Sequence, residues 1–226
     1  MDIRNAVGKM KADSPKMAAL SLETRNQALK AAALALQEHR EEIFQANRKD
    51  MEAAQTAGVL PSVMKRLKFD EEKLKAVIEG MEQLIKLPDP LSKIQLARKL
   101  DENLELYRVT CPIGVIGVIF EARPDALVQI SSLCIKSGNC AVLKGGKETA
   151  RTNKVLFEII YQAVTKCGLP NGCMLQAEQH QEIDELLSCH DCVDLLIPRG
   201  SNSFVQYIMN HTKIPCWASF AASCWV

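Results

Sequence analysis

An excess of charge of either sign is missing from this sequence. Lys and Arg number 28 against 27 Asp and Glu, a formal net charge of +1. No basic cluster is interleaved with aromatics, so no nucleic-acid surface is expected. No apolar run approaches the roughly 20 residues of a membrane span, so no membrane partner is expected either. The first residues, Met1-Asp2-Ile3-Arg4-Asn5, lack the apolar core of a signal peptide. These absences predict a cytoplasmic protein. The remaining composition is 47% hydrophobic and 24% charged over 226 residues, enough for a buried core in one large domain or two small ones.

Paired cysteine spacing is missing as well. Nine cysteines is an odd number. Cys111, Cys134 and Cys140 sit inside apolar runs, which predicts buried free thiols in a reducing compartment. Cys189-His190-Asp191-Cys192 has the spacing of half a zinc site or of a redox pair. No second half-site of matching spacing accompanies it, so no metal is expected. The G-x-G-x-x-G fingerprint is also missing, since Gly114 and Gly117 precede an apolar strand rather than follow it.

Periodicity supplies the fold. Over residues 2–87 apolar positions recur at spacings of three and four, which predicts helices, with Ser21 as one cap. Gly58 and Pro61 interrupt the pattern and Pro88-Asp89-Pro90 ends it. Residues 93–110 alternate more nearly with period two and read as an extended hairpin or edge strand. From residue 112 to 215 strands and helices alternate. Strands are expected over 115–120, 140–143, 174–175 and 193–197, and helices over 125–136, 148–166, 182–188 and 204–210. That order predicts an α/β fold, a Rossmann-like parallel sheet preceded by N-terminal helices.

Ligands of such a sheet bind at the carboxyl ends of its strands. Three polar segments fall there. In Pro198-Arg199-Gly200-Ser201-Asn202, Gly200 and Ser201 open a helix, whose free N–H groups suit a phosphate. Alternatively, Ser201 or Ser203 only caps that helix. In Lys144-Gly145-Gly146-Lys147, Lys144 could donate to a ribose or a phosphate, and Lys147 adds charge suited to a 2′-phosphate. The alternative is a solvated basic loop. Glu121 and Arg123 flank Ala122 after the first buried strand. Either they pair with each other to fix the turn, or Arg123 faces an anionic substrate or a developing oxyanion. No cysteine combines access with a nearby cation or helix N-terminus, so none reads as a nucleophile.

The segments PIGVIGVIFEARPD (112–125), GNCAVLKGGKE (138–148) and IPRGSNS (197–203) resemble the gamma-glutamyl phosphate reductase family closely. This is the proline-biosynthesis branch of the aldehyde dehydrogenase superfamily. Ala46-Asn47-Arg48-Lys49-Asp50-Met51 is similar to the family too, and the likeness runs over about residues 1–215. The resemblance implies an aldehyde dehydrogenase-like NADPH-binding domain over residues 1–215, with 93–110 as an oligomerisation hairpin and a homo-oligomer as partner. It implies NADPH-dependent reduction of L-glutamyl 5-phosphate to glutamate 5-semialdehyde, through a cysteine thioester with release of phosphate. By position, Lys144 matches the lysine that contacts the adenosine ribose, with Lys147 beside it. Gly200 and Ser201 match the pair that receives the pyrophosphate. Arg123 falls where the wider superfamily places an oxyanion-stabilising asparagine.

The resemblance stops at Ile214-Pro215. The family continues there into a catalytic domain that carries its cysteine in a Pro-x-x-Cys-Asn context, and this sequence continues with the uncharged tail 216–226 instead. A frameshifted or prematurely ended reading frame is the expectation, with no catalytic cysteine and no activity. Trp217, Phe220, Trp225 and Val226 are expected to cover apolar surface. Two functional classes stay open: the cofactor-binding portion of a reductase, or a non-catalytic dinucleotide-binding or oligomerisation module.

Overall fold

The computed structural model describes residues 2–178 and 181–217. The chain opens with helices α1 (Ile3–Ala18), α2 (Leu22–Glu38), α3 (Arg40–Thr56), α4 (Pro61–Leu67) and α5 (Glu71–Lys86). Side-chain caps start three of them. Asp2 accepts from Asn5 N, Ser21 from Thr24 N and Asp70 from Lys73 N, each satisfying one of the free N–H groups of a first turn. Strands β1 (Ile94–Asp101) and β2 (Leu104–Val109) then pair as an antiparallel hairpin whose residues are exposed throughout.

The remainder alternates. It comprises β3 (Val115–Ile119), α6 (Pro124–Lys136), β4 (Cys140–Lys144), α7 (Ala150–Lys166), β5 (Met174–Ala177), α8 (Gln181–Ser188), β6 (Leu195–Pro198) and α9 (Asn202–Asn210). The strands form one parallel four-stranded sheet in the order β5-β4-β3-β6. Every residue of β3 and β4 is buried, as expected of central parallel strands covered on both faces. Helices α1 and α8 pack together on one side, while α6 and α7 lie with α2, α3 and α5 in a second helical layer. The main core cluster runs through all of these.

The strand order reverses once. The chain steps outward from β3 to β4 to β5, then returns to place β6 on the other side of β3. A crevice at the carboxyl ends of β3 and β6 is the expected consequence of that reversal.

Three sequence expectations need correction. Gly117 lies inside β3 rather than ahead of it, where the Leu196 side chain packs so closely that a Cβ would meet it at 2.5 Å. Cys111 is exposed, not core, because it joins the exposed hairpin to β3. Trp217 is 69% exposed and does not cover apolar surface. Its N–H donates to Leu196 O at 2.8 Å, so residues 215–217 run beside β6. Strand alternation then turns Cys216 towards the core and Trp217 away from it. Phe220, Cys224, Trp225 and Val226 lie outside the described residues.

Candidate functional site

The carboxyl ends of β3, β4 and β6 carry the three turns that the sequence singled out. Each is built by a different local device.

After β3 the strand pairing runs one residue on, with Phe120 N donating to Lys144 O at 2.9 Å. Then the chain turns sharply. Ala122 adopts a left-handed conformation, φ 49°, which costs a non-glycine residue about 1–2 kcal/mol. Burial of its methyl in a small cluster with Ala54 and Leu67 offsets that cost. Pro124 then starts α6. The turn leaves Glu121 exposed on one side and Arg123 exposed on the other. They do not pair. Arg123 Nη2 instead lies 3.8 Å from Asp125 Oδ2, which Lys73 Nζ also approaches at 3.7 Å. Of the two alternatives for this turn, the internal Glu121–Arg123 pair is not formed, and Arg123 pairs within the first turn of α6.

After β4, Lys144 is buried, which overturns the solvated-loop alternative for this residue. Its ammonium donates to Gly145 O at 2.8 Å and to Glu178 O at 3.4 Å. Burial pulls its pKa below the ordinary lysine value, opposed by the charges of Glu182 and Glu148. An ammonium has three donors, and these carbonyls take two. Lys147 is exposed at the start of a 3-10 turn, Lys147–Thr149. Gly146 has no room for a side chain. A Cβ there would meet Glu148 Oε2 at 2.4 Å and Ala122 N at 3.3 Å, so this glycine lets the β4 turn lie against the β3 turn.

After β6, Arg199 N donates to Ile119 O at 2.7 Å, which carries the chain up to Gly200. Ser201 caps α9, its hydroxyl accepting from Phe204 N at 3.4 Å. The capping alternative is thus realised as geometry, at the place where the phosphate alternative would also put it. The Cβ direction of Gly200 is filled, with Glu121 Oε2 at 2.9 Å and Phe204 Cδ1 at 3.0 Å from a built Cβ.

These turns enclose a cleft of about 250 Å³, lined by Glu121, Lys144, Gly146, Lys147, Glu148 and Phe204 among others. A larger cavity of about 420 Å³ lies between α5 and α6. Its lining, from Ala76 to Leu133, includes no ionisable side chain, so the chemistry belongs at the strand ends.

Asp50 and Asn47 are the residues that sequence reasoning missed. Asp50 is 2% exposed. Its carboxylate accepts from Thr152 N at 2.8 Å, Thr152 Oγ1 at 2.7 Å and Arg151 Nη1 at 3.2 Å. Asn47 donates to Leu67 O at 2.9 Å and accepts from Phe69 N at 2.9 Å. A carboxylate from α3 therefore occupies the positive end of α7. At the N-terminus of α9 the side-chain cap is Ser201.

Four of the described cysteines lie away from this cleft. Cys140 begins β4, Cys173 precedes β5, and Cys189 and Cys192 precede β6. All are at the amino edge of the sheet. In the Cys189–Cys192 segment, Cys189 Sγ donates to Glu185 O at 3.2 Å and Asp191 pairs with Arg4 at 2.9 Å.

Comparison with known proteins agrees with this geometry. The aldehyde dehydrogenase family model matches residues 1–216. The gamma-glutamyl phosphate reductase of Ruminiclostridium cellulolyticum is 51% identical over 215 residues, which are 95% of this chain and 50% of that protein. That of Methanosarcina mazei is 44% identical, across 99% of this chain and 51% of its own length. The chain thus spans about half the length of the curated relatives it matches. Among solved structures, gamma-glutamyl phosphate reductase from Thermotoga maritima superposes with a TM-score of 0.91 at 28% identity, covering 96% of this chain and 53% of that one. The enzyme from Saccharomyces cerevisiae superposes with a TM-score of 0.87 at 36% identity, covering 95% and 54%. A parallel sheet with this strand order, a lysine-bearing turn after β4 and a glycine-serine turn after β6, matched along its length by the family model, places the chain in the aldehyde dehydrogenase family, among relatives named gamma-glutamyl phosphate reductase.

Proposed function

We propose that this chain is the NADPH-binding portion of a gamma-glutamyl phosphate reductase, which reduces L-glutamyl 5-phosphate to glutamate 5-semialdehyde with release of phosphate, in proline biosynthesis. The observation that carries the reading is the reversal of strand order at β3, with Lys144 and Gly200 at the strand ends on either side of it. A dinucleotide fits these residues. Lys144 donates to the adenosine ribose, Lys147 faces the 2′-phosphate, and the Gly200-Ser201 turn takes the pyrophosphate at the open end of α9. NADPH supplies the hydride. Arg123 holds the anionic substrate or its developing oxyanion. Residues 1–215 act as one cofactor-binding domain in the cytoplasm. Among the described residues no helix is long and apolar enough to cross a membrane. The exposed hairpin, with Ile94, Leu96, Leu104, Leu106 and Val109 on its surface, supports a homo-oligomer built through residues 93–110. An isolated two-stranded hairpin is marginally stable in water, so a partner surface suits it.

Two substitutions test the two ends of the cofactor. Gly200→Val drives a branched side chain into Glu121 and Phe204. Dinucleotide binding should be lost while the circular dichroism spectrum is unchanged, and binding retained in that variant would show that the turn only caps α9. Lys147→Ala removes one exposed charge from the 2′-phosphate. The preference for NADPH over NADH should fall about 1.5- to fivefold, the range of one solvent-exposed ion pair. An unchanged preference would remove Lys147 from the site.

One observation favours the second reading, a dinucleotide-binding module without catalysis. Among the described cysteines, each with a shifted pKa is shifted upward, Cys134, Cys140 and Cys173 to about 12 by burial.

A further inference from the structure

Glu121 has no part in the cofactor reading, yet the fold fixes its position tightly. The left-handed Ala122 follows it, buried against Ala54 and Leu67. Gly146 packs against the same turn, with a built Cβ 3.5 Å from Glu121 Cα. The turn therefore has little freedom to carry Glu121 elsewhere. Its carboxylate lies over Gly200, with Oε2 at 2.9 Å and Cδ at 3.0 Å from a built Cβ. Among the described residues no hydrogen bond or ion pair holds that carboxylate. It is exposed, so its side chain can rotate away at little cost.

A negative group thus stands against the turn that opens α9, whose helix end favours negative charge. The phosphate assigned to that turn carries the same sign. Two anions cannot share the face of one glycine. We propose that Glu121 is a specificity-determining residue of the cleft: its carboxylate occupies the Gly200 face as an internal anion that an incoming phosphate must displace. The proposal rests on the reading of Gly200 and Ser201 as the phosphate turn. A dinucleotide, anchored as well through its ribose at Lys144, displaces the carboxylate. A free inorganic anion lacks that anchor and binds more weakly.

Glu121→Gln keeps the side chain's size and removes its charge. Calorimetric titration of the 226-residue chain and this variant, with NADPH and separately with inorganic pyrophosphate, reads the effect. The variant should bind both ligands tighter, by about 1.5- to fivefold at low salt, and the gain should shrink towards none at about 0.5 M salt as the charges are screened. The gain should be at least as large for pyrophosphate as for NADPH. Equal or weaker NADPH binding by the variant overturns the proposal and leaves the cofactor reading standing. A gain that ignores salt overturns it as well, since only charge repulsion is screened. Absence of NADPH binding in both proteins overturns the cofactor reading, and the role of Glu121 with it.

Discussion

Assayed alone, the 226-residue chain is expected to form no NADPH from NADP+, glutamate 5-semialdehyde and phosphate. The reaction class needs a thiolate between acyl group and nicotinamide, and covalent capture with positioning contributes several orders of magnitude in rate. Burial holds Cys134, Cys140 and Cys173 at about 12. A thiol with that pKa is thiolate in only about one molecule in 10⁵ at pH 7. Cys189, Cys192 and Cys216 are also raised, burial being the leading cause in each. Position excludes more than acidity does. Cys111 precedes β3, and the five residues of that strand separate it from the cleft. At about 3.3 Å per residue that is roughly 16 Å, far beyond the ~3 Å at which a nucleophile reacts. Cys134 and Cys167 lie at the carboxyl ends of α6 and α7, which in a parallel βαβ unit return to the same amino edge. Cys224 is outside the described residues. Turnover that disappears in Cys216→Ser or Cys224→Ser would overturn this expectation and make a tail cysteine the nucleophile.

Asp50→Ala should destabilise the chain by about 3 kcal/mol or more, lowering Tm by roughly 6–12 °C. Removing the carboxylate strands Thr152 N and Thr152 Oγ1, both buried, and frees Arg151. Each buried donor left without a partner costs about 1–3 kcal/mol. The loss reaches the cleft because Thr152 sits in the first turn of α7, directly after the Lys144–Lys147 turn. Asp50→Asn keeps one acceptor and should lose less. Thermal or urea unfolding of the three proteins checks this, and a loss below about 1 kcal/mol for alanine would show that water replaces the cap.

The buried parallel strands were legible because they read as apolar runs bounded by glycine and charge. The segments 115–120 and 140–143 fall on β3 and β4 to within a residue. Helix starts were less legible. The helix expected from 148 begins at Ala150, because Lys147–Thr149 forms a 3-10 turn, and that expected from 204 begins at Asn202, just after the Ser201 cap. The site was half legible. Its turns could be placed from the strand ends, but their packing could not. Burial of Lys144 depends on Glu178, which is remote in sequence, and the cap on α7 comes from Asp50, about a hundred residues earlier. Two polar residues three apart on the buried face of α3, Asn47 and Asp50, were the available sign. The neighbourhood of Glu121 and Gly200 arises only because β3 and β6 are adjacent, a pairing no local pattern specifies.

Titration of the 226-residue chain with NADPH and NADH, with Gly200→Val as the matched control, tests the cleft most directly. Saturable NADPH binding that exceeds NADH binding and disappears in the control is the predicted result. No saturable NADPH binding, or binding that survives Gly200→Val in a folded protein, would contradict the assignment of this strand-end cleft to a dinucleotide.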